Sequence, residues 1–185
     1  MLENLLDLVK QQAGEAVVDN PAVPNEKNNP VMEAASGSIF SGLQDMLSQG
    51  GGMKDVLRLF SGQQEVQNHP VTENITGGFV QKLVDQFGLD RQSAGGVANR
   101  LIPDVLGKLV HKTNDPSDNS FDIQGIFNSV SGGKTSGLNV QSLLDKFKKG
   151  GFDMDGDGDT DLQDLMAVFN GQGGGLMDKV KGLFN

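Results

Sequence analysis

The sequence contains no cysteine, no tryptophan and no tyrosine among its 185 residues. Without thiols the chain cannot form disulfides, a thiol nucleophile, a cysteine zinc site or an iron–sulfur centre. Glutamate is scarce as well, since none of the 6 Glu lies beyond Glu73, whereas the 18 Asp extend along the whole chain. The acidic side chains of the second half are therefore all aspartates, a first indication of oxygen-ligand chemistry.

The chain also lacks an excess of positive charge and a long apolar run. Its formal net charge is −9, and a protein that neutralises phosphates needs a basic surface, so we expect no nucleic-acid partner. No apolar run approaches the ~18 residues of a membrane span. Glu3 and Asp7 interrupt the apolar residues of the first ten positions, which is unlike a secretory signal. We expect a cytoplasmic protein, with export by a route that needs no N-terminal signal left open.

The apolar residues recur at helical spacing throughout, and no segment alternates with the period of a strand. The pattern predicts an all-α protein. Asp90 should cap a long helix that Pro103 kinks or splits. The predicted helices cover 2–18, 31–48, 53–60, 70–88, 91–111, 121–130, 140–149, 162–170 and 176–184, with loops at 19–30 and 112–120.

Glycine pairs interrupt two of these helical stretches, at Gly77-Gly78 and Gly95-Gly96. Each glycine costs a helix up to ~1 kcal/mol relative to alanine, so its presence needs a reason. We predict that the two pairs allow neighbouring helices to approach closely.

Several diffuse motifs lie in the first 132 residues: MLENLLDLVK at the start, NPVMEAASGSIFSGLQDML, a helix ending in LFSG, and GGVANRLIPDVLGKL. On these motifs residues 1–132 resemble the YidB-like bacterial proteins, a family of unknown function. The resemblance implies a compact all-α domain, and it supplies no reaction and no site residue. We expect a linker at 133–139 after this domain, a helix–loop–helix unit at 140–170, and a Gly-rich linker with an amphipathic tail helix at 171–185.

The motif that carries chemistry is FDMDGDGDTDLQDL at 152–165. It matches the twelve-residue EF-hand calcium loop, whose alternate residues direct oxygen atoms to one hard cation and whose sixth residue is a glycine at a sharp turn. Gly158 occupies that sixth position. The predicted ligands are Asp153, Asp155, Asp157, Asp159 (through its carbonyl), Asp161 and Asp164. Without a cation, the five carboxylates at ligand positions 1, 3, 5, 9 and 12 would repel one another.

Two positions depart from the usual loop. Asp164 stands at position 12, where glutamate is usual, and its shorter arm favours weaker Ca²⁺ binding or better competition by Mg²⁺. Thr160 stands at position 8, where an aliphatic residue usually pairs with a second loop. The loop resembles those of dockerins, which carry two such loops, whereas one is visible here. It could stay unpaired, pair across a dimer or pack on the helical domain.

Three functions follow as hypotheses. The leading one is a non-enzymatic helical protein with a structural or regulatory Ca²⁺ site at 153–164. The second is a self-assembling structural protein that forms homo-oligomers or filaments, or binds a protein partner, and in which Ca²⁺ only stabilises the C-terminal segment. Its contact surface would be the apolar stripe of the tail, which comprises Leu176, Met177, Val180, Leu183 and Phe184. The third is a hydrolase with a site in the helical domain, which would need a cleft with perturbed carboxylates.

One further motif resembles the end of a phosphate-binding P-loop, the run SGGKT at 131–135. The pattern requires a glycine at position 128, where this chain has Asn128, and a strand before the loop. The run follows a predicted helix, so we do not expect nucleotide binding there.

Overall fold

A computed structural model of the chain describes residues 1–49 and 52–148. The helices in these ranges are α1 (Leu2–Gln12), α2 (Asn28–Ser48), α3 (Gly52–Ser61), α4 (Pro70–Phe87), α5 (Arg91–Asn114), α6 (Ile123–Val130) and α7 (Val140–Lys148). A π-helical segment follows α1, and a 3-10 turn precedes α2. The described part of the chain contains no strand, which confirms the predicted all-α class. The predicted helices at 162–170 and 176–184 lie outside the described residues.

Helices α2, α4 and α5 make the largest contacts of the fold. Helix α5 packs chiefly against α4 and also contacts α1 and α3, while α2 packs against α4, α1 and α3. Its apolar face is fully buried, including Leu101, Ile102 and Leu109. Phe60 of α3 and Phe127 of α6 meet edge to face, with ring centroids 6.3 Å apart. This edge-to-face contact is favourable for aromatic rings and joins α6 to the same core.

Capping residues mark the end of α4 and the start of α5. The Asp90 carboxylate accepts hydrogen bonds from the backbone N–H groups of Gln92 and Ser93, each at 3.0 Å. Helix α4 ends at Gly88, whose φ of +69° is the left-handed conformation that glycine adopts without strain. The N–H groups of Gly88 and Leu89 donate to the carbonyls of Val84 and Leu83, each at 3.2 Å, and so satisfy two carbonyls at the end of α4. These local hydrogen bonds determine where α4 ends and where α5 begins.

Three predicted boundaries are wrong. Helix α5 runs unbroken through Pro103 to Asn114, so the proline does not split it and the loop predicted at 112–120 begins later. Burial of α5 residues on both sides of Pro103 compensates for the backbone hydrogen bond that the proline ring removes.

The segment 2–18 is not one α-helix. The N–H groups of Val18 and Asp19 donate five residues back, to the carbonyls of Ala13 and Gly14.

A third boundary error concerns the loop predicted at 19–30. Helix α2 already begins at Asn28, because Pro30 falls in its first turn, where no intrahelical N–H bond is lost.

The prediction of close approach at the paired glycines is also wrong. A Cβ atom built on Gly77, Gly78 or Gly96 would have no neighbour within 4 Å, and one on Gly95 would meet only the Asn99 side chain at 3.8 Å. The close approach occurs instead at Gly42 of α2, where a Cβ atom would overlap Ile75 of α4.

The segment predicted as a linker, 133–139, contains buried side chains. Thr135 is fully buried and Leu138 is 5% exposed. The Thr135 hydroxyl donates to Asn128 Oδ1 at 2.8 Å, so the hydroxyl of the SGGKT run bonds within the protein. The turn thus carries α7 directly onto the helical core, while the helix–loop–helix unit at 140–170 stays a prediction.

No helix in residues 1–49 or 52–148 combines the length and the apolar character that crossing a membrane requires.

Candidate calcium site and the adjoining cleft

The six predicted calcium ligands, Asp153, Asp155, Asp157, Asp159, Asp161 and Asp164, lie outside the described residues, as does Gly158. The described part of the chain includes the helix that leads into them. Helix α7 ends at Lys148, five positions before Asp153. Among the described residues, no group of three histidine or acidic side chains could hold a metal ion.

The lead-in helix α7 is buried along one face. Val140 and Leu144 are fully buried and Leu143 is 3% exposed, and this face packs on α3 and α6. At its first turn, the Val140 N–H donates to Gln124 Oε1 of α6 at 2.9 Å. Burying three aliphatic side chains contributes several kcal/mol, at about 1.5–3 kcal/mol each. Helix α7 is therefore part of the domain core.

The last turn of α7 is held by a polar cluster that joins three helices. Gln63 Nε2 donates to the Lys148 carbonyl at 2.8 Å, and Lys148 Nζ donates to Asn114 Oδ1. The Asn114 side-chain amide in turn donates to the carbonyls of Phe60 at 2.9 Å and Val110 at 2.8 Å. Asn114 thus connects the end of α3, the end of α5 and the end of α7.

Sequence reasoning missed Asn114 and Gln63. Asn114 lies in the run KTNDPSDNS, whose composition predicts a loop. Gln63 lies in the polar stretch between α3 and α4. Nothing local distinguishes either side chain from its polar neighbours, because both act through contacts distant in sequence.

A surface cleft of about 790 Å³ opens beside the end of α7. Its walls come from the end of α3, the last turns of α5 and Lys148. Apolar side chains line part of it, among them Val66, Val110 and Pro116. Gly107 also lines the cleft, and His111 stands on its rim. A Cβ atom at Gly107 would have no neighbour within 4 Å, so the cleft is open at this point. Lys148, the last residue that the structure describes, lines this cleft.

One carboxylate of the cleft has a shifted pKa. The Asp115 pKa is lowered, chiefly by hydrogen bonds from the Ser117 hydroxyl and backbone N–H, at 2.6 and 2.9 Å. This arrangement is an Asx turn that follows α5. A general acid working near neutral pH needs a raised pKa, so this shift reflects turn formation and gives the hydrolase hypothesis no carboxylate of that kind.

A second titratable group is buried at the start of α4. His69 is 1% exposed, and its Nδ1 accepts a hydrogen bond from the Val71 N–H at 3.3 Å, so His69 caps the helix. Its Nε2 is buried without a hydrogen-bond partner among the described residues. Desolvation lowers the pKa of His69, Asp55 opposes the shift and Arg58 adds to it. The neutral imidazole is therefore the form that the fold accommodates.

No protein-family model, no curated protein and no solved structure matches this chain significantly. The YidB-like and dockerin-like resemblances therefore rest on the quoted motifs alone.

Proposed function

We propose that this chain is a non-enzymatic calcium-binding helical protein that holds one Ca²⁺ with residues 153–164. The observation that carries the proposal is the joint presence of glycine at loop position 6 and aspartate at positions 1, 3, 5, 9 and 12. This spacing places hard oxygen ligands around one centre, and a helix is required on the entering side. The described helix α7 (Val140–Lys148) precedes the loop in sequence, which supports the proposal.

The anchoring of α7 favours a site coupled to the domain over one on an independent appendage. Because the buried face of α7 belongs to the core and its last carbonyl is held by Gln63, the entry to the loop starts from a fixed point. An ion bound at 153–164 would neutralise mutually repelling carboxylates close to that point. The ion would therefore stabilise the folded domain by linkage as well as ordering the loop.

The test is calorimetric titration of the metal-free full-length protein with Ca²⁺. We expect one binding event, which Asp153→Ala and Asp157→Ala abolish. Asp45→Ala is the matched control, because Asp45 is an exposed aspartate of α2 outside the loop, and it should leave the titration unchanged. Absence of heat in the unmodified protein, or an unchanged titration in both loop variants, would overturn the proposal.

A second variant addresses the metal preference. Asp164→Glu lengthens the arm at position 12 and allows bidentate ligation, which Ca²⁺ accepts and the smaller octahedral Mg²⁺ does not favour. We expect tighter Ca²⁺ binding and weaker competition by Mg²⁺ in this variant. If Asp164→Glu leaves both quantities unchanged, Asp164 is not a ligand.

A further inference from the structure

We propose that the cleft between the ends of α3 and α5 binds residues 162–170 of the same chain when Ca²⁺ occupies the loop at 153–164. The inference rests on the proposed calcium site and adds the surface that responds to it. The occupant is the segment LQDLMAVFN, whose Leu165, Met166 and Phe169 recur at helical spacing.

The last described residue, Lys148, lies at the cleft. Its carbonyl accepts from Gln63, and its side chain is bound to Asn114. The residues that follow Lys148 in sequence therefore start from the wall of the cleft. Four residues separate Lys148 from Asp153, so the first predicted ligand can lie at most about 18 Å away along an extended chain.

A bound metal would limit where residues 162–170 begin. Ligand oxygens lie about 2.3–2.6 Å from a Ca²⁺ ion, so the carboxylates of Asp153 and Asp164 would come within about 5 Å of each other if both bound it. Leu165 immediately follows Asp164, so the ion would keep Leu165 close to Asp153 and within reach of the cleft. The tail at 176–184 has no such constraint, because the run GQGGG at 171–175 separates it from the segment.

The surface of the cleft suits an apolar segment. The cleft has apolar groups on its walls and an open backbone at Gly107. Removing apolar side chains from water on both sides is the driving force for such docking.

The absence of tryptophan makes the test direct. His111→Trp places a single tryptophan on the cleft rim of the full-length protein, and Asn74→Trp places one at an exposed position of α4 outside the cleft. Acrylamide quenching of each probe is measured with Ca²⁺ and with chelator. We expect Ca²⁺ to reduce acrylamide quenching of the probe at position 111 severalfold and to leave the quenching of the probe at position 74 unchanged.

Two further variants identify the occupant in the His111→Trp background. Replacing Leu165, Met166 and Phe169 by serine keeps every predicted ligand and should abolish the Ca²⁺-dependent protection. By reciprocity of coupling, this variant should also weaken Ca²⁺ binding at least about 5-fold. Replacing Leu176, Val180 and Leu183 by serine should change neither quantity.

A substitution in the cleft itself tests the docking without changing residues 162–170. Gly107→Leu fills the cleft from the wall of α5 without a clash at its Cβ, and Gly78→Leu is the matched control at an equally open helical glycine. Gly107→Leu should weaken Ca²⁺ binding, whereas Gly78→Leu should not. Circular dichroism checks that both variants keep the helical content of the unmodified protein.

The outcomes separate the docking from the calcium site. Calcium heat without protection at the cleft would overturn the docking and leave the proposed function standing, whereas no heat and no protection would overturn both. Protection that depends on the tail variant would assign the cleft to 176–184 and overturn the inference. Protection that rises with protein concentration would assign the cleft to a second copy and overturn it as well.

Discussion

Gly42 and Gly77 are both glycines within helices, and the structure predicts opposite effects of alanine at the two positions. A Cβ atom at Gly77 would lie in open space, so Gly77→Ala gains the helix propensity of alanine, about 1 kcal/mol. A Cβ atom at Gly42 would overlap Ile75 Cγ1 and lie 3.3 Å from Cδ1. Because Ile75 is β-branched and 2% exposed, it has little freedom to move away.

The net effect at Gly42 follows from two opposing terms. Overpacking a core costs about 1–3 kcal/mol, and the propensity gain offsets about 1 kcal/mol of it. We therefore expect Gly42→Ala to lower the free energy of unfolding by up to about 2 kcal/mol, while Gly77→Ala raises it. Urea unfolding followed by far-ultraviolet circular dichroism measures both, since the chain has no tryptophan or tyrosine for intrinsic fluorescence.

A double-mutant cycle identifies the contact itself. Ile75→Ala alone should cost about 2–5 kcal/mol by leaving a cavity. In that background the added methyl of Gly42→Ala has room, so its effect should change sign and become stabilising. The coupling energy should fall within the roughly 0.5–3 kcal/mol found for residues in contact. If Gly42→Ala is as stabilising as Gly77→Ala in the unmodified protein, the α2–α4 packing described above is wrong.

Two further predictions concern polar groups of the fold. The folded-state pKa of His69 lies below 6.5, so the unfolded chain takes up this proton first as the pH falls. Stability should therefore drop below about pH 6.5 as the cap of α4 is lost, and the pH dependence of the unfolding free energy should flatten in His69→Asn, which keeps a capping side chain but does not titrate. Asn114→Ala removes the side-chain bonds that Asn114 makes to Phe60, Val110 and Lys148 and should cost about 1–3 kcal/mol. Hydrogen exchange should show faster opening of α7 in this variant than in Asn99→Ala, which changes an exposed asparagine of α5, and equal protection of α7 in the two would contradict the anchoring role of Asn114.

The helices could be predicted from the sequence because their signals are local. Asp90 caps α5 and Gly88 ends α4 through bonds within a few residues, and such bonds leave a recognisable pattern in sequence. That Pro103 does not split α5 could not be predicted, because its effect depends on what surrounds the helix. Burial of α5 against its neighbours outweighs the backbone bond that the proline removes.

The packing partners of individual glycines could not be predicted for the same reason. Gly42 carries no local mark that separates it from Gly77, and only the three-dimensional neighbourhood shows that Ile75 lies against one and nothing lies against the other. The same distinction between local and distant contacts applies to the candidate site. The spacing of the predicted ligands at 153–164 is local and visible in sequence, whereas Asn114 bonds to residues that are 54 and 34 positions away.

The placement of α7 bears on whether the proposed calcium site is structural or regulatory. A loop on an independent unit would bind Ca²⁺ without affecting the stability of residues 1–132. Here α7 shares the core with α3 and α6, and its last turn is bound to Gln63 and Asn114. Ca²⁺ binding that stabilises the start of the loop would therefore also raise the free energy of unfolding of the helical domain. By linkage, Ca²⁺ at 100 times its Kd would raise the free energy of unfolding by about 2.7 kcal/mol if the unfolded chain does not bind it. A stability gain of this size, measured by urea unfolding of the whole chain, is what distinguishes a coupled site from an independent one.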